Sequence, residues 1–220
     1  MYGRRYAGRE LTFEASGGLV NSSLVLQDRE TDSYWSIMHG SATAGALRGT
    51  VLEELPGSEK RRWSNWRKRH PDTKVLSVGG REHAADVYAG YWTDRRGYRG
   101  QRAKDTRLPT KAPIFAFRRA EQDFAVEHSK LDGGRVVALG DGDFAFFFRP
   151  PGEPPFGSTS AFRSRAGFVR EGSRWTELET GARFDPERRA FLGGDVQRLK
   201  GIDTFWYNWS LNNPGSHVLE

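Results

Sequence analysis

The sequence feature that most constrains the fold is a segment that occurs twice. WSNWRKRHPDTKVL occupies residues 63–76, and WYNWSLNNPGSHVL occupies residues 206–219. An ungapped alignment of the two matches both tryptophans, the asparagine between them, the proline and the final Val-Leu pair. A second, looser match relates SYWSIMHGSA (33–42) to SRWTELETGA (173–182). Because self-similarity of this kind marks a repeated supersecondary unit, the chain is expected to contain two related halves.

Most of the remaining sequence has the character of short β-strands. Several runs are rich in β-branched and aromatic residues and are separated by Gly, Asp and Pro, which is typical of strands and turns. GDGD at 140–143 is a hairpin signal. The sequence therefore predicts an α+β fold that is mostly β. The predicted strands lie at 10–18, 23–30, 113–119, 123–131, 135–141 and 143–150.

One segment, residues 58–70, is predicted to be helical. Ser58 can cap its start, and a proline follows its last residue. At 100° per residue, Trp63, Trp66 and His70 fall within an arc of roughly 60°. The second copy of the repeat preserves this aromatic face but not the basic residues. We therefore expect each half to be a small antiparallel sheet with a short tryptophan-bearing helix packed across it.

The repeat also suggests where the halves begin and end. Residues 1–78 are predicted to form a first repeat unit that is incomplete at its N-terminus, 79–112 a connector, and 113–220 the second unit. Hydrophobic strands precede the second copy, and no equivalent run precedes the first. A partner chain or a missing N-terminal segment is expected to complete the first repeat.

Composition limits the classes of function. The chain has no cysteine, so disulfides and thiolate metal sites are excluded and the cysteine count does not indicate a compartment. No apolar run approaches the ~18 residues of a membrane span, and MYGRRYAGRE lacks the pattern of a signal peptide, so the localisation stays undetermined. The net charge of +6 permits binding to polyanions. Nucleic acid is not favoured as a partner, because no helix-turn-helix, zinc-finger, RRM or KH signature is present.

A longer string of motifs resembles a known family. SGGLVNSSLVLQDRETDSYWSIMHGSATAGALRGTVLEELP, followed by WSNWRKRHPDTKVLS, is similar to the DUF3179 family of functionally uncharacterised bacterial and archaeal proteins. The resemblance is close over residues 9–77 and looser towards the C-terminus. Members of that family usually carry a further N-terminal segment with a Cys-Pro motif and frequently an export signal. This sequence lacks both, so the resemblance implies an N-terminally shortened member and supplies no mechanism.

The leading functional interpretation is a non-enzymatic ligand-binding or scaffold domain of the DUF3179 type. A ligand site is expected near the interface of the two halves, built from polar residues found in only one copy. Each candidate also has a structural interpretation: a hairpin turn, a turn cap, an ion pair, or a histidine at the edge of the core. The candidate ligand-binding residues are Asn21, Ser22, Asp28, Arg29, His39 and His70.

Two alternatives remain open. The first is a metal-dependent or hydrolytic enzyme with its site around Asp28 and His39, although no two histidines have the spacing of a local metal motif and no metal is assigned. No GxSxG, Walker A or GxGxxG pattern occurs, so the cofactor is unknown and enzymatic activity undecided. The second is a polyanion-binding module whose affinity falls steeply with salt. It would use the basic helix residues Lys60, Arg61, Arg62, Arg67, Lys68 and Arg69.

Overall fold

The computed structural model describes residues 1–55, 61–77, 79, 86, 88–152 and 157–220. In this part of the chain, four four-stranded sheets and one two-stranded hairpin are accompanied by three short α-helices. This confirms the mostly β, α+β prediction. The candidate cap Ser58 and the candidate basic residue Lys60 lie outside the described residues. No helix among the described residues is long and apolar enough to cross a membrane.

The N-terminal part forms a four-stranded antiparallel meander, here called the first sheet. A hairpin of β1 (Arg5–Tyr6) and β2 (Arg9–Glu10) precedes it. Trp35 and Leu11 form the centre of its small core, with Ala42 and Leu52. The core is small because most side chains of its longest strand are exposed. Its strands are β3 (Phe13–Val20), β4 (Ser23–Asp28), β5 (Tyr34–Ser36) and β6 (Ser41–Ala44).

A helical and irregular stretch follows the first sheet. The helix predicted for 58–70 is α1 (Trp63–Arg69), and the connector contains α2 (Ala89–Thr93) and a 3₁₀ turn at Tyr98–Gly100. The connector is attached to the second half by aromatic contacts. The hydroxyls of Tyr91 and Tyr207 are 3.1 Å apart, and the ring of Tyr91 also contacts that of Phe205.

The central sheet is built mainly from the second half of the chain. Its strand order is β17-β7-β8-β18, with β18 parallel to β8 and the other pairs antiparallel. The helix α3 (Trp206–Asn212) follows β17 directly and buries both of its tryptophans. The strands are β7 (Pro113–Arg119), β8 (Gln122–Glu127), β17 (Ile202–Phe205) and β18 (His217–Leu219), and a 3₁₀ turn at His128–Lys130 follows β8.

The inner sheet packs face to face on the central sheet, in the order β16-β11-β10-β9. Phe115 and Phe117 of β7 meet Phe147 of β10 in one core cluster, whereas the alternate residues Ile114 and Ala116 face α3. Strands that are buried on both faces read as continuous apolar runs, which explains PIFAF and FAFFF. The strands are β9 (Arg135–Gly140), β10 (Asp143–Phe148), β11 (Ser160–Ser164) and β16 (Gln197–Arg198).

An outer sheet, in the order β12-β13-β14-β15, covers the other face of β10 and β11. Phe146 of β10 is fully buried against Phe184 and Phe191 of this sheet, with ring centroids 5.0 and 5.5 Å away. The second half therefore stacks helix, central sheet, inner sheet and outer sheet. The outer strands are β12 (Phe168–Glu171), β13 (Arg174–Glu177), β14 (Arg183–Asp185) and β15 (Ala190–Leu192).

The two tryptophan-bearing helices, α1 and α3, end with the same backbone hydrogen bond but differ in how they pack. In both, the backbone N–H of the residue after the helix, His70 or Asn213, bonds to the carbonyl of the second tryptophan. Trp206 is fully buried, whereas Trp63 is 48% exposed and none of the residues of α1 is buried. The expectation that each helix packs across a sheet therefore holds for α3 and is wrong for α1. The repeat and the boundaries at 78 and 112 stay predictions.

Candidate functional site

Asp28 ends β4 and organises the turn to β5. Its Oδ1 accepts the backbone N–H of Thr31 (2.6 Å), and its Oδ2 accepts the indole N–H of Trp35 (2.7 Å). The hydroxyl of Thr31 also donates to both oxygens. Burial alone would raise the pKa of this fully buried carboxyl, but these hydrogen bonds outweigh it and hold the pKa below its ordinary value. The acceptors of Asp28 are therefore engaged within its own turn.

Three other candidates make structural contacts. Arg29 pairs with Glu14, with Nε 2.7 Å from Oε2, on the exposed face of the first sheet. Asn21 and Ser22 form the β3–β4 turn with positive φ, and Asn21 Nδ2 donates to the Leu211 carbonyl at the end of α3 (3.0 Å). The turn thus helps to join the first sheet to α3.

His39 lies where the first sheet meets the central sheet. Its Nε2 is 2.8 Å from Asn213 Oδ1, and that oxygen also accepts from Nη2 of Arg118 (3.0 Å). Because the amide oxygen can only accept, His39 Nε2 carries a proton in this contact. Nδ1 faces the hydroxyl of Ser36 at 3.4 Å. Asn213, at the end of α3, therefore joins residues from both parts of the chain.

His39 also lines a cavity of about 340 Å³ between the first and central sheets, here called the interface cavity. This volume lies within the range typical of small-molecule sites. Neither Asp28 nor Arg29 belongs to its lining, so the structure does not bring these candidates together with His39. Its apolar wall comes from both sheets and α3: Ile37, Met38, Val51, Leu52, Phe115, Ala116, Phe117, Ile202 and Trp209.

A few polar groups interrupt this apolar wall. The hydroxyl of Tyr2 donates to the Met38 carbonyl (3.1 Å), and burial raises the pKa of Tyr2 to about 12. Burial also raises the pKa of Glu54, only partly opposed by nearby positive charges that include Lys200 and Arg118. These groups give the cavity an apolar body and a polar edge at Glu54 and Arg118.

A second polar cluster lies at the wall formed by β17, and sequence reasoning missed it. Asp203 Oδ1 is 2.9 Å from His128 Nε2 and accepts the hydroxyl of Thr159 (2.6 Å). Oδ2 accepts the backbone N–H of Thr159 (3.0 Å), and Arg149 Nη1 lies 3.6 Å from Oδ1. His128 Nδ1 is buried without a hydrogen-bond partner among the described residues. The hydroxyl of Thr159 donates to the carboxylate, and no described hydrogen bond joins it to His128.

The candidate residues of α1 lie apart from the interface cavity. The imidazole of His70 packs on Trp66, with ring centroids 4.2 Å apart. Arg61 and Arg69 donate to the Glu187 carbonyl (3.3 Å each), and Arg62 donates to the Gly152 carbonyl (3.5 Å). Three basic residues, two just before α1 and one at its end, thus hold this segment against the second half. Arg67 and Lys68 are exposed.

A metal site does not emerge from the part of the chain that the structure describes. Within it, no three His, Cys, Asp or Glu side chains cluster as a metal site requires. The signal that could have identified Asp203 is its place in the apolar run IDTFW, where a carboxylate must find partners to be buried. No sequence signal joins Glu54 and Asn213 to His39, because their proximity depends on how distant strands pair.

The fold and site together define a mostly β protein with a ligand-sized cavity between an N-terminal sheet and a central sheet. A family model described as "Protein of unknown function (DUF3179)" matches residues 1–216 of the 220-residue chain, and the chain belongs to this family. This confirms the resemblance found in the sequence. No curated protein and no solved structure matches the chain. The function must therefore be argued from the site.

Proposed function

We propose that this protein is a small-ligand-binding domain and that the interface cavity is its binding site. The observation that carries the proposal is the lining: an apolar wall from two sheets and a helix, with a polar edge that includes Glu54 and Arg118 and a second polar cluster at Thr159 and Asp203. Ligand sites commonly combine a concave apolar surface with a few polar groups that fix orientation. His39 belongs to the polar edge and thus contributes to a site that lies between the two parts of the chain.

The same geometry supports binding more directly than catalysis. The hydroxyl of Thr159 is held by Asp203 (2.6 Å), and the imidazole of His39 is held by Asn213 (2.8 Å). Hydrolysis would require a base that is free to take a proton from a nucleophile or from a water that it positions, whereas Asp203 also accepts from His128 and from the backbone N–H of Thr159. The described contacts of Thr159 and His39 instead orient these side chains as part of the wall.

The test uses 1-octanol as an apolar probe, followed by calorimetric titration and by the shift in melting temperature. A ligand that binds only the folded state stabilises it by RT ln(1 + [L]/Kd), so the melting temperature rises with ligand concentration. Val51→Trp places an indole at the cavity wall and should abolish binding. Val75→Trp is the matched control, because Val51 and Val75 are 63% and 66% exposed and Val75 does not line the cavity. Unchanged octanol binding by Val51→Trp, or failure of the wild type to bind octanol and its eight-carbon anionic analogues alike, would overturn the proposal.

A further inference from the structure

A second concavity of about 170 Å³, here called the basic cleft, adjoins the interface cavity. Glu54 and Arg118 line both, so the two spaces share a wall. Of the eight described residues that line the cleft, five are basic and one, Glu54, is acidic. The basic lining residues are Arg118, Arg119, Arg163, Arg198 and Lys200.

Some of these cations are already paired. Asp143 is almost fully buried, and its Oδ2 lies 2.6 Å from Arg119 Nη2 and 3.2 Å from Arg163 Nη1. Gln197 also accepts from Arg163. Arg119 and Arg163 therefore form a fixed wall of the cleft, because their guanidinium groups are held by buried or neighbouring acceptors.

The wall that the cleft shares with the interface cavity differs from this fixed wall, because Arg118 and Lys200 use only some of their hydrogen-bond donors. Arg118 uses Nε and Nη2 for Asp123 and Asn213, and its Nη1 makes no hydrogen bond to a described residue. Lys200 Nζ donates one hydrogen bond, to the backbone carbonyl of Glu54, within the part of the chain that the structure describes. An Nη1 group carries two N–H donors and an ammonium three, so two donors remain on each side chain.

Asp123 is the carboxylate that pairs with Arg118, with Oδ1 2.8 Å from Nε, and its described contacts use Nε and Nη2 but not Nη1. Among the described residues, Glu54 forms no ion pair within 4 Å with either Arg118 or Lys200. Burial raises the pKa of Glu54, and the N-terminal ammonium, Lys200 and Arg118 oppose that rise only in part. An anion placed at the wall would instead gain charge-assisted hydrogen bonds from both cations.

We propose that the ligand of the interface cavity is a small amphiphilic anion. Its apolar body occupies the interface cavity, and its carboxylate or phosphate head is bound at the shared wall by Arg118 and Lys200. This inference rests on the proposed function, because it names the class of ligand for the same site. An apolar body alone would use the cavity, and an inorganic anion alone would use the cleft; only an amphiphile uses both.

The test compares octanoate, octyl phosphate and 1-octanol, which share an eight-carbon chain, by calorimetric titration. The three probes are compared with one another at the same ionic strength. The wild type should bind at least one of the two anions about tenfold more tightly than octanol, and the preference should fall as salt is raised. The preferred head group then distinguishes a carboxylate ligand from a phosphate ligand. Lys200→Gln should reduce the preference several-fold and leave octanol affinity unchanged, because Lys200 lines only the cleft. Arg118→Gln should also reduce the preference several-fold. Arg48→Gln, which removes an equal charge from an exposed position outside both spaces, should change neither affinity.

The outcomes separate the two proposals. Equal affinity for octanol and the anions would overturn the amphiphilic-anion inference and leave the binding function standing. The inference would also fail if the preference survived both cleft substitutions, since the head group would then lie elsewhere. No binding of any of the three probes would overturn the proposed function itself.

Discussion

At the scale of single residues, Asp28 shows how a carboxylate in a candidate site can be explained by the turn that it holds. Trp35, Thr31 and the backbone supply donors to both of its oxygens. Asp28→Asn places an amide N–H₂ where one oxygen accepted, so at least one buried donor loses its partner. We expect a loss of about 1–3 kcal/mol in the free energy of unfolding, measured by urea titration at pH 7.

The same carboxylate gives the stability a defined pH dependence. Its pKa is lower in the folded chain than in the unfolded chain, so the ionised form stabilises the fold above the unfolded pKa of about 3.9. This contribution is lost as the pH falls through the folded pKa. The difference between wild type and Asp28→Asn should therefore be full near neutral pH and shrink below about pH 4. Asp32→Asn, an exposed change in the same turn, is the control, and a pH-independent difference would contradict the argument.

At the scale of elements, strands that are buried on both faces were the most predictable. The strand predicted at 113–119 is β7 at those bounds, and the run at 143–150 contains β10 (Asp143–Phe148). The packing of α1 was not predictable, because Trp63 and Trp206 have the same local sequence signal. What differs is the surface beneath them: β17 leads directly into α3 and places it on the central sheet, whereas the two described residues before α1, Arg61 and Arg62, are not part of a strand.

This difference predicts unequal costs for equal substitutions. Trp206→Ala removes a fully buried indole that packs on Ile114 and Ala116, and should cost about 3–5 kcal/mol in the free energy of unfolding. Trp63→Ala removes the aligned, 48% exposed side chain and should cost less than about 1 kcal/mol. Urea unfolding of both variants is the measurement. Similar losses in the two would show that α1 packs as α3 does.

At the scale of the whole molecule, the candidate site was only partly predictable. The sequence pointed to a site between two parts of the chain and to His39, which does line the interface cavity. It did not reveal Glu54, Arg118 or Asp203, because they reach the same space through contacts between residues far apart in sequence. A sequence pattern reports which face of a strand is apolar, but not which distant strand covers that face.

Substitution of Asn213 tests whether the first sheet can open separately from the rest of the molecule. Its buried side-chain oxygen accepts from both His39 and Arg118, so Asn213→Ala removes the acceptor that joins the two parts. We expect amide hydrogen exchange to accelerate in β5 and β6 more than in β7, because local opening of the first sheet becomes easier than global unfolding. Asn65→Ala, an exposed change in α1, should leave both regions unchanged. Equal acceleration in all three strands would mean that the first sheet unfolds only with the central sheet, and the interface cavity would then be part of one cooperative core.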